Sequence, residues 1–594
     1  MSLRPLYFIS NFPRVVDPKI WLVILLSIFA WAPLLTPAYF FQAHDAKHSI
    51  FFLVEFDQTF RDGYLWPRWS PDFSFGYGYP LFNLYAPLAF YLAEIIHLLG
   101  FGFVTSIKIM YVLATVGAGL SMYGFARRLF GPNSGVLAAV VYMYVPFHLV
   151  EIFVRSAFAE FVALAVIPLV FWAFTELIAG PSPRRTGLAA LAYGILVLTH
   201  HSTFFTFSPF LIIYILCLIF AKSKLKVKEI GRGTVYAGSA GLLGLALSAI
   251  YLVPLITEMK FIKIEQWTSG SYNYLQHFVY FSQFFSPDWG YGYAGPGPID
   301  DFSYQLGIVV ISLMSFALIV ILSRRIRHYG IALFFLVATM ATVLLMSPLA
   351  EPIWQVLPIA SLVQFPWRLL GMTAFTMALV AGSLLALPNP SRSPQPSILE
   401  PAPGSPVFLL SLGVILASFS YTLPQYTEVP AWSEQPLAVV NWDKGSIVDR
   451  VGMVSVTDEQ PQTSPLEGEY LENGYPTTVA VLVAGQGTVE TLHHGGASEQ
   501  VRVQADEPTT LQFYTYDYPG WQVSLDGQPI AHRHEPPFGL VTVEVPAGTH
   551  LVDLQMGTTL PRTLGLIISA TALLLINGLV LRLDQSLLSS KFDN

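Results

Sequence analysis

Charge is scarce in this chain. Only 12% of its 594 residues are Asp, Glu, Lys or Arg, against about 25% in a soluble domain. That excludes an ordinary soluble globular protein. Cysteine is nearly absent: Cys217 stands alone in an apolar run. One cysteine excludes an intramolecular disulfide and a thiolate metal cage. It is expected to act as a small buried hydrophobe. No Walker phosphate loop and no Gly-x-Ser-x-Gly elbow occurs. The glycine-rich runs GYGYP and GYGYAGPGP do not follow a strand or open a helix. ATP-driven transport by this chain alone and serine-hydrolase chemistry of that type are therefore excluded.

Hydrophobic length is what the chain has in quantity. Hydrophobic residues make up 54%, and mean hydropathy is +0.55. Crossing about 30 Å of hydrocarbon takes about 20 apolar residues. Candidate spans lie at 20–41, 105–126, 134–150, 160–179, 187–200, 203–221, 234–256, 305–322, 330–349, 368–387, 406–423 and 563–583. The first is too long for a signal-peptide core and ends in bulky residues, so it reads as a retained span. Residues 80–100 are apolar but carry Asn83, Glu94 and His97. Basic clusters at Arg127-Arg128, Arg184-Arg185, 222–232 and 323–328 share one side only if 80–100 makes no net crossing. The expectation is a plasma (inner) membrane protein of about twelve spans with both termini cytoplasmic.

The domains follow. Residues 1–423 form a multi-span domain with outer loops 42–104 and 257–304. The second of these loops is long enough to act as a lid. Residues 388–406 are Pro- and Ser-rich and read as a flexible cytoplasmic loop. Residues 424–561 change character: short alternating runs such as TTLQFYTY and LVTVEV, parted by turn signals, predict an extracytoplasmic β-sandwich. This segment holds 18 Asp/Glu and 4 Lys/Arg, a formal charge of −14, against +7 for the remainder. It should keep off anionic headgroups and nucleic acid. Residues 562–594 supply the last span and a cytoplasmic tail.

Ionisable groups at span ends are costly unless hydrated, paired or used. Asp45 leads, in the stretch HDAKH at 44–48. His44 and His48 are four apart and share a helix face. With Asp45 they are a candidate site for a divalent metal (Mn, Mg or Zn); the plainer reading is an interfacial span end. The stretch 61–85 interleaves Trp66, Arg61, Arg68, Asp62 and Asp72 with aromatics, Gly and Pro. It reads either as an aromatic belt with snorkelling arginines or as a rigid loop framing a cavity, where aromatic faces suit sugars and arginine forks suit phosphate. Glu151, Arg155 and Glu160 mark a second acidic segment, and His200-His201 a tight turn. Arg368, in QFPWRL, is either an interfacial anchor or a phosphate clamp. His493-His494, His532 and His534 read as loop surface.

Together HDAKH (44–48), LWPRWSPDFSFGYGYPLFNLYAPL (65–88), VRSAFAEF (154–161), QFPWRLL (364–370) and YPGWQVSLDGQPI (518–530) resemble GT-C membrane glycosyltransferases. More narrowly, they resemble the bacterial membrane proteins labelled 6-pyruvoyl-tetrahydropterin synthase-related or YfhO-like. The resemblance implies a polyprenyl-phosphate sugar donor entering from the bilayer and a lipid, glycan or protein acceptor. It also implies Asp45 as catalytic base, assisted by Glu160. Arg68, Arg155 and Arg368 would stabilise the departing phosphate, and Trp66 and His201 would join in substrate binding. The alternatives are a scaffold or accessory subunit of a larger membrane complex, or a carrier of lipid-linked sugars.

Overall fold

The computed structural model describes residues 17–324, 326, 328–357, 360–386, 405–445 and 453–581. The Pro-rich stretch 388–406 lies, but for its last two residues, outside the described part. Each of the twelve expected spans coincides with a helix. Seven are long and apolar enough to cross a membrane alone, and two more are bent pairs. The pair Pro132–Tyr144 and Pro146–Phe153 bends by 43°, where Pro146 lacks the N–H that would continue the ladder. The pair Val227–Leu247 and Ala249–Phe261 bends by 70° at Ser248, whose hydroxyl turns back to the Gly194 and Gly244 carbonyls. Pro183–Thr199, Ile308–Leu322 and Pro406–Thr422 are shorter. Leu88–Leu98 spans only 11 residues, about 16 Å at 1.5 Å per residue, against about 30 Å of hydrocarbon.

Several expectations need correction. The first helical run stops at Leu35, not at 41. Residues 36–41 leave it extended, with Tyr39 bridged to Thr427. Lys108 reaches from a neighbouring span to the orphan carbonyls of Thr36 and Ala38 at 2.6 and 2.7 Å. Cys217 is exposed on its helix. The outside of a membrane helix is as apolar as its inside, so apolar character does not predict burial there.

Among the described residues the named strands lie between 480 and 556. Strands β1 (Ala480–Ala484), β4 (Thr509–Tyr516), β8 (Leu540–Val545) and β7 (Arg533–Glu535) form one antiparallel sheet in that order. Strands β2 (Gly487–His494), β3 (Ser498–Ala505), β9 (Gly548–Met556), β5 (Trp521–Leu525) and β6 (Gln528–Ile530) form the other. Alternation along β4, with Leu511 and Phe513 buried, is the half-buried strand pattern the sequence shows. Residues 424–479, expected within the sandwich, carry helices instead, at Leu437–Gly445 and Glu467–Asn473.

The aromatic loop 61–85 is the platform on which this domain sits. Trp69 is 2% exposed and packs edge-on against Trp521 at 5.2 Å. Burying an indole of about 200 Å² at about 25 cal/mol per Å² contributes roughly 5 kcal/mol. Gly78 makes this possible: it holds φ +81°, and a Cβ there would sit 2.4 Å from the Trp69 ring. Asp62 accepts from the Ala497 amide and the Ser498 hydroxyl, and the Tyr516 amide donates to the Tyr77 carbonyl at 2.9 Å. The last span is locked below by Arg562, which donates to Glu258 at 2.9 and 3.1 Å with both side chains buried.

On the same loop side, Glu94 is 1% exposed beside Asp57. Burial and the nearby Asp57 charge push its carboxyl up to about 8. A carboxyl raised on folding stabilises while protonated. That contribution is complete below pH 4.5, its ordinary value, and is lost as pH rises towards about 8. The detergent-solubilised protein should lose thermal stability from pH 5 to 8, and Glu94→Gln should flatten that part of the melting-temperature profile. An unchanged slope in the variant would remove Glu94 as its source.

Candidate functional site at the loop end of the bundle

Residues 42–45, 151–160, 200–202, 286–305 and 364–368 come together at one end of the bundle. At the opposite end, Arg127 pairs with Asp17, and Arg128 and Arg185 pair with Glu176. The expected division of loops between two sides is therefore present as two ends.

The chain leaving the first span is pinned onto the corner at 154–157. The His44 amide donates to the Val154 carbonyl at 3.0 Å, and the Asp45 amide to the Arg155 carbonyl at 2.7 Å. That corner is tight. Ser156 adopts φ +52°, uncommon for a residue with a Cβ. Its hydroxyl meets Tyr39 and Tyr111 at 3.2 and 3.0 Å. Helix Ala46–Arg61 starts immediately after Asp45, which stands at its N-cap, yet the carboxylate caps no backbone N–H. Instead Asp45 Oδ1 accepts from His48 Nδ1 at 3.3 Å, and its side chain is 41% exposed. Burial raises its carboxyl, but the His48 hydrogen bond and the charges of His48, Arg155 and His44 outweigh this and hold it below the ordinary 3.8. The helix N-terminus favours the anion as well.

Behind Asp45 lies a ladder of buried charge. The Arg155 guanidinium pairs with Glu151 and, at 2.9 Å, with Glu160. It lies 4.6 Å from the Trp367 ring centroid. Arg368 approaches Glu160 at 3.8 Å. Its Nη1 donates to the Val363 carbonyl, Gln364 and Ser202. Gln364 too is left-handed, at φ +66°. Two carboxylates thus face two guanidiniums, so Asp45 is the accessible anion of the group. Glu160 is 8% exposed on its side chain and fully engaged with cations, which suits positioning of the arginines better than proton transfer.

The long loop covers this site. His44 Nε2 donates to the Tyr291 carbonyl at 3.2 Å, and its ring stacks on Tyr293 at 4.3 Å. Burial lowers the His44 pKa, against the pull of Asp45, so the imidazole stays neutral at pH 7. The proposed metal set does not hold. His44 turns to 291–293 and His48 to Asp45, and among the described residues no three His, Cys, Asp or Glu side chains are placed to hold a metal. His200 accepts from the Thr203 amide as a helix cap, while His201 packs edge-on against Tyr85 at 5.6 Å.

Arg68 and Trp66 belong elsewhere. Arg68 donates to Asn83 at 2.7 Å and to the Ile250 carbonyl at 3.1 Å, and it lies over Trp66 beside the Glu258–Arg562 pair. Sequence reasoning missed Tyr85, whose hydroxyl feels the charges of Asp45, Glu160, Arg368 and Arg155. It also missed Trp367 and Tyr293. Tyr85 lay in the aromatic stretch 61–85, but no spacing rule singles out any of the three.

These features define a polytopic α-helical membrane protein with a C-terminal β-domain and a charged site at one end of its helices. Residues 82–430, more than half of the chain, match the 6-pyruvoyl-tetrahydropterin synthase related domain, described as a membrane protein. The chain belongs to that family. It is 26% identical over 220 residues to an uncharacterized protein of Lactococcus lactis subsp. cremoris, an alignment covering 36% of this chain and 34% of the relative. Among solved structures it is similar to the mycobacterial arabinofuranosyltransferase AftD, at 14% identity and TM-score 0.44, covering 70% of this chain and 28% of that one. It is also similar to ArnT from Cupriavidus metallidurans bound to undecaprenyl phosphate, at 12% identity and TM-score 0.39, covering 69% and 75%. The Archaeoglobus fulgidus oligosaccharyltransferase aligns at 14% identity and TM-score 0.41, covering 79% and 61%. Likeness at this level carries no argument about activity.

Removing one partner from a buried ion pair strands the other, at a cost of about 3–5 kcal/mol. Arg155→Met should therefore destabilise the protein strongly, in a thermal or chaotrope melt of the purified chain. Glu160→Gln, which leaves Arg155 its Glu151 partner, should cost distinctly less. Equal effects would mean that Glu151 alone does not hold the arginine.

Proposed function

We propose that this protein is a membrane glycosyltransferase of GT-C type. It moves a sugar from a polyprenyl-phosphate donor to an acceptor at the extracytoplasmic face of the bacterial plasma membrane. The observation that carries the reading is the pairing of one accessible, ionised carboxylate, Asp45, with two buried guanidiniums at the ends of membrane helices. The acceptor hydroxyl donates its hydrogen bond to Asp45 and attacks the anomeric carbon. The bond from that carbon to the lipid phosphate oxygen breaks, and the hydroxyl proton passes to Asp45 and then to water. Charge on the departing phosphate is met by Arg368, whose Nη2 carries no hydrogen bond among the described residues, and by Arg155. Tyr85 and His201 pack edge-on beside these charges. Asp45 acts with no metal in this reading, consistent with the divergent directions of His44 and His48.

The pairing of Glu160 and Glu151 with arginines also fits a non-catalytic scaffold, which would hold its charges paired. One assay separates the two. Transfer from radiolabelled polyprenyl-phosphate sugars should be measured in reconstituted membranes for the wild type and Asp45→Asn. A loss of about 100-fold or more is expected, because acid–base groups contribute about 10²–10⁴-fold. With Asp45 held below 3.8, wild-type transfer should show no Asp45-dependent acid limb between pH 5 and 8. No transfer from any donor, with the same partner proteins co-purifying each time, would favour the scaffold.

A further inference from the structure

A small open recess lies beside the site. Its walls include Phe41, Lys47, Trp432, Asn441 and Trp442. It is one ring away from Asp45: the carboxylate accepts from His48, and the His48 ring meets the Trp442 ring edge-on at 5.0 Å. Three features distinguish it from a packing gap. Two half-buried indoles stand in one small recess. The Asn441 amide makes no hydrogen bond among the described residues, and the exposed Lys47 ammonium has no ion-pair partner there. Its walls are built by the turn after the first span and by the segment 432–442, not by any membrane span.

We propose that this recess is a saccharide subsite for the acceptor, and that it selects a pyranose bearing an anionic substituent. Indole surfaces pack the C–H edges of a pyranose. An amide offers both a donor and an acceptor to adjacent hydroxyls. A free ammonium pairs with a carboxylate or phosphate. Bound there, a sugar would place a neighbouring hydroxyl of the acceptor near Asp45. The assignment rests on the transferase reading for the word acceptor, and its test does not.

Binding is measured without donor, on the full-length protein in detergent micelles, by saturation-transfer NMR. The probes are methyl β-D-glucuronide, glucose 6-phosphate and methyl β-D-glucoside. Both anionic sugars, or one of them, should bind more tightly than the glucoside, and the stronger identifies the carboxylate or the phosphate as the natural group. Lys47→Met should cost roughly tenfold in affinity for the anionic sugar and erase the preference, since a charge-assisted contact is lost. Asn441→Ala should weaken all three probes. Lys47 is exposed and has no ion-pair partner among the described residues, so its variant tests the idea without threatening the fold. No binding by any probe, or binding indifferent to both variants, overturns the proposal. Transfer that proceeds normally in both variants overturns the subsite and leaves the transferase standing. Variant-sensitive binding with no transfer from any donor supports the subsite and removes the transferase.

Discussion

A single buried guanidinium organises the working end of this molecule. Arg155 sits at a corner between two membrane helices, where an unpaired charge would cost several kcal/mol. Glu151 and Glu160 neutralise it, and Trp367 lies against it. These partners come from the helix before the corner, the helix after it, and a segment two hundred residues on. Its own carbonyl then holds the Asp45 amide. One cation therefore fixes the spacing of three chain segments and the position of the accessible carboxylate. The left-handed Ser156 is the local cost of turning that corner, and hydroxyls of Tyr39 and Tyr111 secure it.

The β-domain depends on a different kind of contact. Its seat is the aromatic loop at 61–85, where Trp69 and Asp62 meet residues 497–521 and Gly78 leaves room for the Trp69 ring. The intervening helices at 437–473 close over the same loop: Asp443 accepts from the Phe75 amide, and Tyr470 donates to Asp72. The domain is thus joined to the membrane part by buried hydrogen bonds and ring contacts, as well as by the spans at its two ends. That seating brings Trp432 and Trp442 against the first helix after Asp45.

Covering and access meet at His44. Its imidazole joins the turn after the first span to the loop at 291–293 by a hydrogen bond and a stacked ring. The loop is further tied at Tyr421, which stacks on Trp289 and donates to Gln305. A carboxylate that is partly exposed beneath a loop, beside arginines that are not, has the asymmetry a transfer reaction needs: an open side for the nucleophile and a shielded side for charge that develops on the leaving group.

The sequence alone determined the membrane character, the helical spans, and the strands between 480 and 556. Each follows from a local property: run length, charge placement at helix ends, or period-two alternation. It also pointed to Asp45, Arg155, Glu160 and Arg368, because ionisable residues beside spans are few. Tertiary structure decided what those residues do. Glu160 is bound to two arginines, Arg68 and Trp66 belong to the Glu258–Arg562 region, and the histidines at 44 and 48 face different partners. None of this is local: each outcome depends on which distant segment arrives alongside. Cys217 shows the same limit in miniature. In water, apolar character sorts inside from outside, but in a bilayer both faces of a helix are apolar, and only packing tells them apart.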